Sequence, residues 1–210
     1  MRCVIDRARR WLSLTHPHAM WLLVAAIAPA CQSTPPAPPT EIVIGATLPL
    51  TGLDAAAAVP LVRGYERAVA EANAAGGIRI GTATIPVRLD VRDDASDAAQ
   101  LERVTRDLIA AGAHAILATP RDVRAVAQSD VTETAGALLI GNPLDHPGLP
   151  GKRMQWMLLV GTPARDPTTR AHDVAAAVIA AFAKAGTTDA RRVRDILRGR
   201  TQDTAPPTKP

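Results

Sequence analysis

The sequence predicts one α/β domain built on a doubly wound parallel sheet. Between Ile42 and Leu197, short apolar runs alternate with segments of helical period, the pattern of strand–helix–strand units with right-handed crossovers. The first run, Ile42-Val-Ile-Gly-Ala-Thr-Leu48, is almost continuously apolar, as expected of a strand covered on both faces. Once the two ends are set aside, about 160 of the 210 residues remain, which is one domain and enough for a real core. No internal repeat or heptad is present.

Residues 1–30 read as a secretory signal. Arg2, Arg7, Arg9 and Arg10 precede an apolar stretch from Ala19 to Ala28, which is far short of the ~20 residues that span a bilayer. Ala30-Cys31 resembles the lipobox of bacterial lipoproteins, although Ala28 and Pro29 depart from its usual pattern; the resemblance implies acylation at Cys31. The alternative is ordinary cleavage after Ala30, releasing a soluble chain with a free thiol. Residues 31–40 include Pro35-Pro-Ala-Pro-Pro39, a semi-extended tether. Cys3 departs with the signal, so no intramolecular disulfide is expected.

Charge and composition exclude several functions. The pI near 9.7 derives largely from the leader: without residues 1–30 there are 20 basic and 19 acidic side chains. No basic stripe with interleaved aromatics remains, so nucleic acid is not an expected partner. Aromatic content of 2% leaves only Tyr65, Trp156 and Phe182 beyond the leader, too few for an aromatic ligand cage.

The elements follow in order over 41–199. After the first strand, Pro60 suits the first turn of a helix. Leu61, Val62, Tyr65, Ala68, Val69 and Ala72 then recur at helical spacing, and Gly76-Gly77 supplies a left-handed exit. Ile85-Pro-Val-Arg-Leu-Asp-Val91 alternates, which places it at an edge or gives it one solvated face. Ser96 or Asp97 caps the next helix, whose Leu101, Val104, Leu108 and Ala111 face one way; Gly112 ends it. Apolar runs at 113–118, 137–140 and 155–160 give three more strands, with a short helix over 121–128. Residues 200–210 read as a disordered Pro-rich tail.

Three stretches carry a family resemblance. They are Ile42-Val-Ile-Gly-Ala-Thr-Leu-Pro-Leu-Thr-Gly52, then Ala70-Glu-Ala-Asn-Ala-Ala-Gly-Gly-Ile78, and Arg92-Asp-Asp-Ala-Ser-Asp97. Together they resemble the opening of the periplasmic solute-binding proteins of branched-chain amino-acid ABC transporters. Residues 171–197, with Lys184-Ala-Gly-Thr-Thr-Asp189, resemble the closing helices of that family. The resemblance implies a type I periplasmic-binding-protein fold reduced to a single lobe, because the sequence between the two halves of the pattern is missing. It also implies a non-catalytic envelope protein, with no cofactor, that partners an ABC permease.

In open α/β sheets ligands lie beyond the carboxyl ends of the strands. Four loops qualify: 49–59, 93–96, 119–122 and 141–146. In the family, the loop after the third strand offers a Ser hydroxyl and helix N–H groups to a ligand carboxylate, and the loop after the fourth holds the amino group. This chain departs at both, with Thr119-Pro-Arg-Asp122 and Gly141-Asn-Pro-Leu-Asp145. The candidate ligand residues are Thr51, Thr119, Arg121, Asn142 and Asp145, for a small amino acid or carboxylate. The alternative reading makes Arg121, Asp122 and Asp145 solvated loop and cap residues, and the protein an accessory interaction lipoprotein that kept the fold without the ligand.

Other chemistry is weakly supported. Asp93, Asp94 and Asp97 are better explained by helix capping than by a cation. His114, His146 and His172 lack metal-ligand spacing. Gly148-Leu-Pro-Gly-Lys152 is not a phosphate loop. No nucleophile–base pair is evident, and the Arg191, Arg192, Arg194, Arg198 and Arg200 cluster reads as a solvated helix face.

Overall fold

Side chains alternate across a strand, so each strand of a covered sheet feeds two cores. In the computed structural model, which describes residues 39–120, 122–147, 154–162 and 164–203, that alternation sorts the interior cleanly. Among the described residues, twelve elements follow in chain order. The first half contains β1 (Ile42–Leu48), α1 (Ala55–Ala74), β2 (Ile78–Ile80), β3 (Ala83–Ile85), β4 (Val87–Asp93) and α2 (Ala98–Ala110). The second contains β5 (Ala115–Leu117), α3 (Asp122–Ala135), β6 (Leu139–Gly141), β7 (Met157–Leu159), α4 (Pro167–Ala185) and α5 (Ala190–Asp203).

The main sheet runs β4-β1-β5-β6-β7, and every pairing in it is parallel. Ile42, Ile44, Ala46, Leu117, Ile140 and Leu158 point to one face and pack with α1, α4 and α5. Ile116, Leu139 and Met157 point to the other and meet Leu108 of α2 and Ala125 of α3. The result is three layers with the sheet in the middle. The chain passes from β1 outward to β4, then returns across β1 to β5, so the topology reverses between β1 and β5.

Two close approaches depend on small residues. A Cβ at Gly64 of α1 would lie 2.6 Å from Ala171 Cβ and 2.8 Å from the His172 nitrogen of α4. Only glycine lets these helices meet there. Along the other face, a Cβ at Gly45 would stand 3.0 Å from Leu108, so β1 is also recessed under α2.

Glu133, near the end of α3, organises the start of β7. Its carboxylate accepts from the backbone N–H groups of Gln155 at 3.0 Å, Trp156 at 2.5 Å and Met157 at 3.1 Å. Those donors precede or open the strand, where no ladder partner satisfies all of them.

Several expectations are met and others corrected. β4 is indeed an edge strand, with Arg88, Asp90 and Arg92 along it and Arg92 paired to Asp90 at 3.1 Å. Its first residue is held by Asn73, whose amide both donates to and accepts from Val87 at 2.8 Å. Asp97, rather than Ser96, caps α2, accepting from Gln100 N–H at 2.7 Å. His114 packs edge-on to Phe182 with centroids 6.2 Å apart.

Pro60 lies inside α1, which begins at Ala55, because the turn preceding it is already helical. Residues 78–85 form an antiparallel hairpin, β2–β3, that the sequence reading lacked. α3 extends to Ala135, well past 128, and α5 continues through Gly199 to Asp203. The leader, Cys31, the tether up to residue 38, Arg121 and residues 204–210 lie outside the described residues.

Candidate functional site

The carboxyl ends of β1, β4, β5, β6 and β7 open onto loops that two carboxylate-centred networks hold in place. The first network sits at the reversal between β1 and β5. Asp93 accepts from Leu50 N–H at 2.9 Å, Thr51 N–H at 3.1 Å, the Thr51 hydroxyl at 2.6 Å and Ala95 N–H at 2.8 Å. Burial pushes the Asp93 carboxyl up, but the Thr51 hydroxyl and these three N–H groups outweigh it and hold it below the usual carboxylate range. Ala95 and Ser96 both adopt left-handed backbone, with φ of 52° and 59°, a conformation uncommon outside glycine. The Ser96 hydroxyl then bridges the loops, donating to Thr51 O at 3.0 Å and accepting from Asp54 N–H at 3.1 Å.

Beneath that surface lies Asp94, fully buried. It accepts from the Thr119 hydroxyl at 2.7 Å and from Arg124 at 3.3 Å. Arg124 also reaches Asp54 at 2.5 Å. Gln128 completes the layer, accepting from Thr119 N–H at 3.0 Å and donating to the Thr47 hydroxyl at 2.7 Å. A buried guanidinium between two carboxylates satisfies the rule that interior charge is paired and hydrogen-bonded.

The second network holds the loops after β6 and β7. Asn142 Oδ1 accepts from Leu144 N–H at 2.9 Å, and its Nδ2 donates to Thr162 O at 3.2 Å. Asp145 N–H returns to Asn142 O at 3.1 Å. Arg170 of α4 grips Asp145 at 2.6 Å and also donates to the carbonyls of Ala164 at 3.1 Å and Arg165 at 2.8 Å. Buried Tyr65 lies below; burial first, and then the Asp145 charge, push its hydroxyl well above the usual tyrosine value. α4 starts cleanly because Asp166 accepts from Thr169 N–H at 2.8 Å and from the Thr169 hydroxyl at 2.7 Å. Those bonds hold the Asp166 carboxyl below its ordinary value.

The candidate residues therefore fall into two groups. Thr51 and Thr119 are joined through the adjacent Asp93 and Asp94, with Thr51 exposed and Thr119 buried. Asn142 and Asp145 share one turn, Asn142 buried and Asp145 paired. Arg121 lies outside the described residues. The sequence reading missed Arg124 and Arg170, the two cations that tie these loops together.

Apolar side chains also surface at this edge. Leu50 is 42% exposed, Leu53 fully so and Leu144 50%. A groove of about 320 Å³ runs from Leu50 along α1 past Ala55, Val59 and Val62. The edge thus combines rigid backbone, an exposed threonine held by Asp93 and apolar rims, which suits an uncharged side chain attached to a polar head. Among the described residues, no helix is long and apolar enough to cross a membrane.

No curated protein matches the chain. The solved structure of the branched-chain amino-acid transporter substrate-binding protein LivJ from Streptococcus pneumoniae, in complex with isoleucine, is similar at 25% identity and TM-score 0.50; the match covers 57% of this chain and 33% of that one. A putative branched-chain amino-acid ABC transporter structure from Rhodospirillum rubrum matches at 22% identity and TM-score 0.46, over 59% of this chain and 35% of that one. The leucine-binding protein LivK of Thermotoga maritima matches at 18% and 0.47, over 57% and 32%. The chain thus spans about a third of the length of these structures. The family model described as periplasmic binding protein matches residues 41–176, from the start of β1 into α4, and the chain belongs to that family.

Proposed function

We propose that the chain is a non-catalytic, envelope solute-binding domain of the branched-chain amino-acid type, anchored through an acylated Cys31. Its ligand is a small amino acid or carboxylate, seated on the loops that carry Thr51, Thr119, Arg121, Asn142 and Asp145, and its partner is an ABC permease. The observation that carries this reading is the carboxyl edge, where Thr51 and the exposed Leu50, Leu53 and Leu144 face solvent on loops already fixed by Asp93 and Arg170.

A thermal-shift screen against leucine, isoleucine, valine and small carboxylates tests it. A ligand at 100 times its Kd adds ~2.7 kcal/mol to stability; no shift at millimolar ligand sinks the solute-binding reading.

A second reading is favoured by one specific observation. Thr119, Asn142 and Asp145 spend their polar atoms on Asp94, Thr162 and Arg170. An accessory lipoprotein that binds another envelope protein needs the fold but no ligand. A flat thermal screen, together with a stable partner recovered from envelope extract, supports that reading over the first.

A further inference from the structure

The edge of the sheet opposite the candidate site gathers cations from three elements. Gly81 N–H of the β2–β3 turn donates to Gly186 O, just past α4, at 2.8 Å. This brings β2, with exposed Arg79, against α4, whose last turn carries Lys184. α5 then lies along the same edge under β7. Arg194 stacks 4.9 Å over the Trp156 ring, and Arg198 donates to Gln155 O at 2.9 Å; those two partners lead into β7. Arg191 and Arg192 in its first turn are exposed. None of Arg79, Lys184, Arg191 and Arg192 forms an ion pair with a described residue.

The chain also enters the domain at this edge, because β1 starts here at Ile42. We infer that the amino edge, through Arg79, Lys184, Arg191 and Arg192, seats on an anionic lipid headgroup surface. The inference rests on the anchored reading above. Ten residues, 31 to 40, reach at most ~31 Å if fully extended, so an anchor at Cys31 would keep this edge within reach of the bilayer. Guanidinium forks suit phosphate oxygens, and headgroup charge acts within a screening length of ~8 Å, within reach of side chains at the tethered edge. Nucleic acid is the poorer match, since the cations are spread over a rim without an aromatic-lined groove.

The test uses the chain from residue 31 onward, produced without residues 1–30 and carrying Cys31→Ser, so that neither leader nor acyl chain contributes. Sedimentation with phosphatidylglycerol-containing vesicles should retain it, and pure phosphatidylcholine vesicles should not. Half-molar salt should release it. A basic residue near an anionic surface raises partitioning about fivefold, so R79Q/K184Q/R191Q/R192Q should weaken binding several hundredfold, about 600-fold if the four act independently, while keeping the same thermal melt. Equal retention on neutral vesicles, undiminished binding of the quadruple variant, or capture only by an envelope protein overturns the inference. The mass of the wild-type product, acylated or merely cleaved, reports separately on the anchor.

Discussion

Arg170 on α4 meets Asp145, in the loop after β6, at 2.6 Å through one terminal nitrogen and 3.2 Å through Nε. Both side chains are largely buried, at 13% and 19% exposure. The same guanidinium holds two carbonyls of the loop after β7, so one side chain closes two loops of the candidate site. Arg170→Met should leave the Asp145 charge stranded above Tyr65. Removing one partner of a buried pair costs ~3–5 kcal/mol; with this residual exposure about 1–3 kcal/mol is expected. Urea unfolding reads it, and Asp145→Asn added to Arg170→Met should recover part of the loss. An unchanged midpoint for the single variant would show that the pair is idle.

Gly64→Ala tests the seam between α1 and α4. Within a helix this exchange ordinarily stabilises by about 0.5–1 kcal/mol. Here the new methyl meets backbone and Cβ atoms of α4 that have no freedom to rotate away. Overpacking of this kind costs ~1–3 kcal/mol, so the net sign should be destabilising. A raised melting temperature would show that the helices separate easily.

Acid should unfasten the loop after β4. The Asp93 carboxyl is held below its ordinary value in the fold, so its contribution is complete above the unfolded carboxylate pKa and is lost as pH falls through the lowered folded value. Thr51→Val removes the 2.6 Å hydroxyl donor. Wild type should therefore outlast the variant at neutral pH, with the gap closing on acidification. Melting temperatures from pH 7 down to about 2 check the sign, and a gap that widens toward acid contradicts it.

Glu133→Ala should loosen β7 more than it loosens β1. Three N–H groups lose a charged acceptor, and such bonds are worth about 1.5–3 kcal/mol. Amide exchange at Trp156 and Met157 should accelerate while that at Ile44 changes less. Uniform acceleration would assign Glu133 to global stability alone.

The sheet was legible in the chain because burial on two faces leaves an unbroken apolar record, as at Ile42 to Leu48. The alternation of Val87, Leu89 and Val91 with Arg88, Asp90 and Arg92 left β4 either at an edge or with one solvated face, and the strand order puts it at the edge. The hairpin was not, because three-residue strands such as Ile78–Ile80 are too short to establish a period. Pro60 misled for a simple reason: proline favours the first turn, but it is also tolerated where preceding turns adjust.

The site was less legible than the fold. Thr51, Thr119, Asn142 and Asp145 were named as candidates from the rule that loops at strand carboxyl ends carry function, together with the family resemblance. Their partners were hidden by distance, since Arg124 lies 30 residues from Asp94 and 70 from Asp54. An arginine within a helix looks solvated until the helix is laid on its sheet. Only that docking reveals that Arg124 points inward.

One consequence follows from the charged margin of β4. A bare outer strand is a template for a neighbour's backbone, and parallel stacking of identical molecules would set Arg88 against Arg88 and Asp90 against Asp90. Together with the Asn73 clamp on Val87, this row of alternating signs works against growth of the sheet past β4 in that register. At high concentration the molecules should stay dispersed and not knit into fibres.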